Sequence, residues 1–149
     1  MPAATTRGAR TRARELLLQA LYQRQIAGHT AEELLDQFHA QAAYARIDQQ
    51  YFDAALPAIV AAEAALGARI ARYADRPVAQ LDPVELAILS IGTFELAERG
   101  DVPYRVVIDE CINLARRFGA SDGHKYINAC LDAAARDLRS AELEAKQSG

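Results

Sequence analysis

The chain has 149 residues, 51% of them hydrophobic and 25% charged, with eight glycines and five prolines, a make-up that excludes disorder throughout and fits one compact domain or two small ones. At this length about two thirds of the unfolded chain's surface can be buried, so a core needs neither disulfides nor a structural metal. The net charge of -3 conceals an asymmetry: residues 1–28 carry Arg7, Arg10, Arg12, Arg14 and Arg24 against Glu15 alone, a net of +4, and the other 12 basic and 19 acidic residues leave the remainder at -7.

Apolar residues recur near every 3.6 positions, β-branched residues are sparse, and Ala, Leu, Arg, Glu and Gln are abundant, which predicts an all-α fold. A first helix over about 9–27 puts Ala13, Leu17, Ala20 and Leu21 on one stripe and stops at Gly28, which suits the left-handed residue after a helix end. Thr30 caps a second helix, with Glu33 in capping-box position and Leu34, Leu35 and Phe38 on the inner face. Asp48 caps a third, whose Phe52, Leu56, Ile59, Leu66, Ile70 and Tyr73 recur at helical steps once the place of Glu63 is skipped. Pro57 inside it predicts a kink or a break. Residues 74–81, containing Arg76-Pro77, have weak periodicity and mark the connection between two halves, 1–76 and 77–149.

Asp82-Pro83-Val84-Glu85 is a dense start signal, with an N-cap acceptor, a proline at the first helical position and Glu at the third. The helix it opens is apolar nearly all round (Val84, Leu86, Ala87, Ile88, Leu89, Ile91, Phe94, Leu96), which predicts a central element ending near Gly100. Pro103 starts another that carries Tyr104, Val107, Ile108, Cys111, Ala115 and Phe118 inward and closes at Gly119. Ser121 or Asp122 caps a last long helix with Ile127, Leu131, Ala134 and Leu138 at helical steps, and the polar tail from Ser140 is expected to fray.

Catalytic material is thin. His29, His39 and His124 stand far apart, and the chain has no H-x-x-x-H pair, Gly-rich phosphate loop or G-x-S-x-G elbow. Cys111 and Cys130, among apolar neighbours, fit core thiols better than a disulfide or zinc site. The expectation is a non-enzymatic protein without cofactor or metal. No apolar run approaches the ~18 residues that span a bilayer, which predicts a cytoplasmic protein without membrane contact. Asp122, His124 and Lys125 open the last helix, where Lys125, possible donation from His124 and exposed N–H groups suit a phosphate and Tyr126 suits base stacking. A plain Asp122 cap beside a solvated Lys125 is the alternative reading. In the arm, Arg7, Arg10 and Arg14, then Leu18 and Tyr22, share one side of a helix, from which Arg12 points away. Guanidinium groups in such a row offer bidentate phosphate contacts, and 15 of the 17 basic residues are Arg. Tyr22 fits either half-buried core or contact surface.

The region Arg10 to Tyr22, the segment from Leu81 to Gly92, Asp101-Val102-Pro103-Tyr104, Val107-Ile108-Asp109-Glu110 and the run from Phe118 to Asn128 together resemble the NusB family of bacterial transcription antitermination factors, in the family's order and over nearly the whole chain. The resemblance implies two packed three-helix bundles and no enzymatic activity. It implies binding of boxA RNA from ribosomal-operon transcripts as a heterodimer with the ribosomal protein NusE, and indirect contact with the RNA polymerase elongation complex. Carried over by position, Arg7, Arg10, Arg12, Arg14, Tyr22, Asp122, Lys125 and Tyr126 look like RNA-side residues, and Glu85 looks like part of the NusE side. Gly123 stands where the family pattern suggests Ser, Tyr126 where Phe is common and Ala129 where Gly is common. A helical adaptor that binds protein alone is the rival reading, as is a fragment of an RNA methyltransferase that carries a similar helical domain.

Overall fold

A computed structural model describes residues 2–148, with side chains from 8 to 145. Helices make up every regular element, and no strand occurs among the described residues. The chain forms two compact units, Met1–Glu63 and Ala64–Gly149.

In the first unit, α1 (Pro2–Ala27), α2 (Ala31–His39) and α3 (Gln49–Ala61) are accompanied by a 3₁₀ turn at Ala42–Arg46. The stripe Ala13, Leu17, Ala20 and Leu21 is buried, joined by Leu16 and Leu18. α1 gives way at Gly28, whose φ of 74° lies in the left-handed region that a Cβ disfavours. Thr30 and Glu33 form the reciprocal capping box, with Thr30 Oγ1 accepting from Glu33 N at 3.1 Å and Glu33 Oε1 accepting from Thr30 N at 2.9 Å. These bonds hold the Glu33 carboxyl below its ordinary pKa. Asp48 caps α3 through the Tyr51 N–H at 3.0 Å. Leu34, Phe38, Phe52, Leu56 and Ile59 fill the core, each contributing about 1.5–3 kcal/mol by leaving water.

Pro57 neither ends nor splits its helix. α3 runs through it to Ala61 and stops at Ala62, with φ -94° and ψ 12°. Proline removes one N–H donor and crowds the preceding turn, yet α3 continues four residues beyond it, and the apolar rhythm fails at Glu63. There the side chain turns out to meet Arg24, whose Nε and Nη2 donate to its carboxylate at 2.9 and 3.1 Å. One expected helix is therefore two, with α4 spanning Glu63–Ala74.

The second unit holds α4, a 3₁₀ turn at Val78–Gln80, α5 (Pro83–Glu98), α6 (Tyr104–Phe118), α7 (Gly123–Leu138) and α8 (Ser140–Ser148). Three bonds tie α4 to α7: the Tyr73 hydroxyl donates to Asp137 at 2.7 Å, the Tyr126 hydroxyl to the Ala74 carbonyl at 3.0 Å, and the Cys130 thiol to the Tyr73 carbonyl at 3.7 Å. That attachment puts the division after Glu63, ahead of the expected residue 76. Asp82 caps α5 by accepting from the Val84 and Glu85 N–H groups at 3.0 and 3.1 Å. α5 is buried from Ala87 to Leu96 except at the half-buried Ser90, as a central helix must be. Gly92 lets its neighbours close in, since a Cβ there would stand 2.8 Å from Leu131 Cδ1 of α7 and 3.1 Å from Cys111 Sγ of α6.

Two sequence expectations are corrected in this unit, at Phe118 and in the tail, and α6 closes at Gly119 as expected. Phe118 does not point inward: α6 ends at this residue, and the exposed ring takes the Arg117 guanidinium 5.4 Å from its centre. Gly119 is extended, at φ -94° and ψ -177°, and glycine is required because a Cβ would stand 2.8 Å from the Ala115 carbonyl oxygen. The tail does not fray at Ser140, because α8 is anchored by Arg139 and Glu142. The Arg139 guanidinium donates to the carbonyls of Leu96 at 2.7 Å, Val102 at 3.0 Å, Glu95 at 3.1 Å and Arg99 at 2.9 Å, and to Glu142 at 2.6 Å. Glu142 in turn accepts from the Tyr104 N–H at 3.0 Å. A helix end leaves its last carbonyls without partners, and at the end of α5 the Arg139 guanidinium serves two of them, Glu95 and Leu96, together with two carbonyls just beyond the helix.

Candidate nucleic-acid interface

The arm of arginines is helical throughout, so its four members part company by position on the α1 surface. The Arg7 side chain lies outside the described residues. Arg10 donates through Nε to Asp48 at 2.8 Å and lies 4.7 Å from the Tyr51 ring centre. Arg14 is 3% exposed, with its guanidinium carbon 5.6 Å from the same ring. Arg12 is exposed to water. Of the side that Arg10, Arg14, Leu18 and Tyr22 share, Arg14 and Leu18 are buried, Arg10 is half-buried and Tyr22 exposed, and Arg12, which points away, meets solvent. Arg14, expected on the RNA side, is thus a buried cation in this structure. Tyr22, 42% exposed, is a surface ring, next along the helix to the exposed Ile26.

In the second unit the functional chemistry gathers at the start of α7. Asp122 occupies the cap position without a side-chain cap bond. It is 85% exposed and stands 3.8 Å from the ammonium of Lys125, itself 75% exposed. The expected Asp122 cap is thus absent, and the first turn of α7 has a solvated cation beside a helix end that favours anions. Tyr126 is half-buried and pinned by its hydroxyl to Ala74, and burial raises its phenol above the ordinary pKa, with Arg76 opposing. The Arg76 guanidinium carbon sits 5.0 Å from the Tyr126 ring centre.

Glu85 belongs to this same neighbourhood. A Cβ on Gly123 would stand 3.0 Å from Glu85 Oε2, so the carboxylate lies against the α7 backbone. Burial, and next the charge of Asp82, raise its pKa, while Arg76 lowers it. Sequence reasoning thus divided Glu85 from Asp122, Lys125 and Tyr126 by role, and the fold brings it beside the first turn that carries them. It also missed Arg76, treated as linker, which lies past the end of α4 and so shares no helical side with Arg69 and Arg72. The thiols are core as expected, with burial raising the pKa of Cys130. Among the described residues no group of three or more His, Cys, Asp or Glu is placed to hold a metal ion, and no single helix is long and apolar enough to cross a membrane.

This is an all-α protein whose exposed side-chain chemistry at these two places is guanidinium, ammonium, carboxylate and phenol, groups suited to recognition. A family model described as the NusB family matches residues 11–136. The transcription antitermination protein NusB of Alcanivorax borkumensis is 46% identical over 143 residues, covering 96% of this chain and 95% of that protein. That of Halorhodospira halophila is 48% identical over 141 residues, with 93% and 90% covered. A solved structure of T. maritima NusB superposes with a TM-score of 0.71 at 26% identity, covering 85% of this chain and 89% of that one. The chain belongs to the NusB family of transcription antitermination proteins.

Proposed function

We propose that the chain supports antitermination by recognition, binding boxA RNA of ribosomal-operon transcripts together with NusE and reaching the RNA polymerase elongation complex through that assembly. The observation that carries the reading is the α7 start, where the solvated Lys125, uncapped helix end and aromatic Tyr126 adjoin in a NusB-family chain. A helix N-terminus with a cation suits a backbone phosphate, and an aromatic ring suits an unstacked RNA base. In the first unit, Arg12 and Tyr22 offer exposed groups of the same two kinds. Arg10, held by Asp48, contributes positioned charge, and Arg7 continues the basic run in sequence. Glu85, in the first turn of α5, supplies negative charge toward NusE, a ribosomal protein expected to be basic. No covalent step is required of any of these groups, nor is a cofactor.

The test is titration of a boxA RNA with and without NusE. Binding is expected to be weak with the chain alone and tighter with NusE, because a second surface adds contacts without a second full loss of rigid-body freedom. Equal affinity in the two titrations would sink the joint-binding reading.

A further inference from the structure

Arg76 lies just past the end of α4, in a segment whose backbone is set on both sides. Asp75 before it adopts a left-handed φ of 57°, which ends α4. Pro77 after it restricts Arg76 to extended conformations. The ring beneath is fixed as well, since the Tyr126 hydroxyl is bonded to Ala74 two residues before Arg76. The guanidinium therefore rests 5.0 Å from the centre of an immobilised ring, is exposed, and has no hydrogen-bond or ion-pair partner among the described residues. Arg72, one helical turn earlier, differs in that respect: its guanidinium lies 3.9 Å from Asp137.

A planar cation seated on an aromatic face keeps its N–H edge available for phosphate and loses little rotamer freedom when it binds. We propose that Arg76, seated on Tyr126, is an RNA-contacting residue, its N–H groups meeting a backbone phosphate of the bound RNA strand. The inference rests on the RNA-binding reading above and deepens it: Tyr126 acts in large part by seating Arg76, because the guanidinium occupies one of its faces.

The experiment measures boxA RNA affinity, in the presence of NusE, at several salt concentrations for the parent chain, Arg76→Gln, Arg76→Lys, Arg72→Gln and Arg12→Ala, with thermal melting as a fold check. Arg76→Gln is expected to weaken binding about tenfold at low salt and to flatten the slope of log affinity against log salt by about 0.7, the value for one phosphate on a single strand. Arg76→Lys should keep the parent slope and lose about threefold in affinity, since an ammonium carries the charge but does not lie flat on the ring. Arg72→Gln should match the parent. A slope change at Arg72→Gln as large as that at Arg76→Gln would reduce the effect to a general positive field and overturn the contact. Parent-like affinity and slope for Arg76→Gln, with losses at Arg12→Ala, would overturn it while leaving the RNA reading intact. Absence of boxA binding by the parent chain with NusE would overturn both.

Discussion

Glu85 shows how one side chain answers to several neighbours at once. The first turn of a helix favours a carboxylate, by about 0.3–1 kcal/mol from the dipole. Against that stand burial next to Gly123 and the charge of Asp82, and their balance raises the pKa even with Arg76 opposing. The sign for stability follows. A carboxyl whose folded pKa lies above its unfolded value is disfavoured by folding when ionised, so the penalty is full at neutral pH and disappears as pH falls through the folded value. Glu85→Gln should therefore be more stable than the parent at neutral pH, with an advantage that shrinks on acidification toward about pH 4; urea unfolding across that range checks it. A difference independent of pH would mean that the carboxyl is not held in the unfavourable environment described. A Ser at position 123 would bring a Cβ to 3.0 Å from Glu85 Oε2, the movable end of a side chain that can give way, and nothing in the structure explains the Gly there. Replacing Glu85 by Lys is the poorer test of NusE contact, since it would place a cation beside the start of α7.

At the scale of elements, α1 separates a buried arginine from an exposed one two positions away, and the RNA-binding proposal assigns them different effects. Arg12→Ala should leave the melting temperature unchanged and flatten the salt dependence of boxA binding by about 0.7 in slope. Arg14→Ala should instead destabilise the first unit by about 1–3 kcal/mol through lost packing and its interaction with Tyr51, with the slope preserved; calorimetric melting and RNA titration of the two variants distinguish them. A slope change at Arg14→Ala larger than at Arg12→Ala would mean that α1 rearranges when RNA binds. What was legible in the sequence has a pattern. Caps that rest on local bonds, as at Thr30, Asp48 and Asp82, and the apolar character of α5 were readable because neighbours in sequence decide them. The inward stripe of α1, Ala13, Leu17, Ala20 and Leu21, was readable too, but its width was not, because Arg10, Arg14 and Leu18 lie at its border and Asp48 and Tyr51, far along the chain, engage both arginines. The break before α4 was half legible: the missing apolar residue at Glu63 marked it, and the general penalty for proline drew attention to Pro57 instead. Arg76 was hidden by its position, since a residue in a weakly periodic connection gives no sign of the ring it rests on until Tyr126 arrives from fifty residues later.

For the molecule as a whole, the two units are completed by different means. The first closes through apolar contacts and caps contained in residues 1–63. The second depends on Arg139, a buried cation whose donors serve carbonyls of Glu95, Leu96, Arg99 and Val102. Arg139→Met should destabilise the second unit by about 3–5 kcal/mol, because it takes the cation from Glu142, strips the Leu96 and Val102 carbonyls of this donor and leaves those of Glu95 and Arg99 with only the Arg99 and Val102 N–H groups. Loss of hydrogen-exchange protection in α5 and α6 would register it, and parent-like protection would show that water replaces the guanidinium at little cost. The placement of Arg139 also bears on how the protein is made. Chains grow from the N-terminus, and compact units fold as they are completed, so the first unit has its whole sequence long before the second. The carbonyls at the end of α5 leave the ribosome some forty residues ahead of the cation that satisfies them. A copy whose synthesis stops inside α7 thus carries a finished first unit and an unclosed second one, whose apolar helices are open to proteolysis.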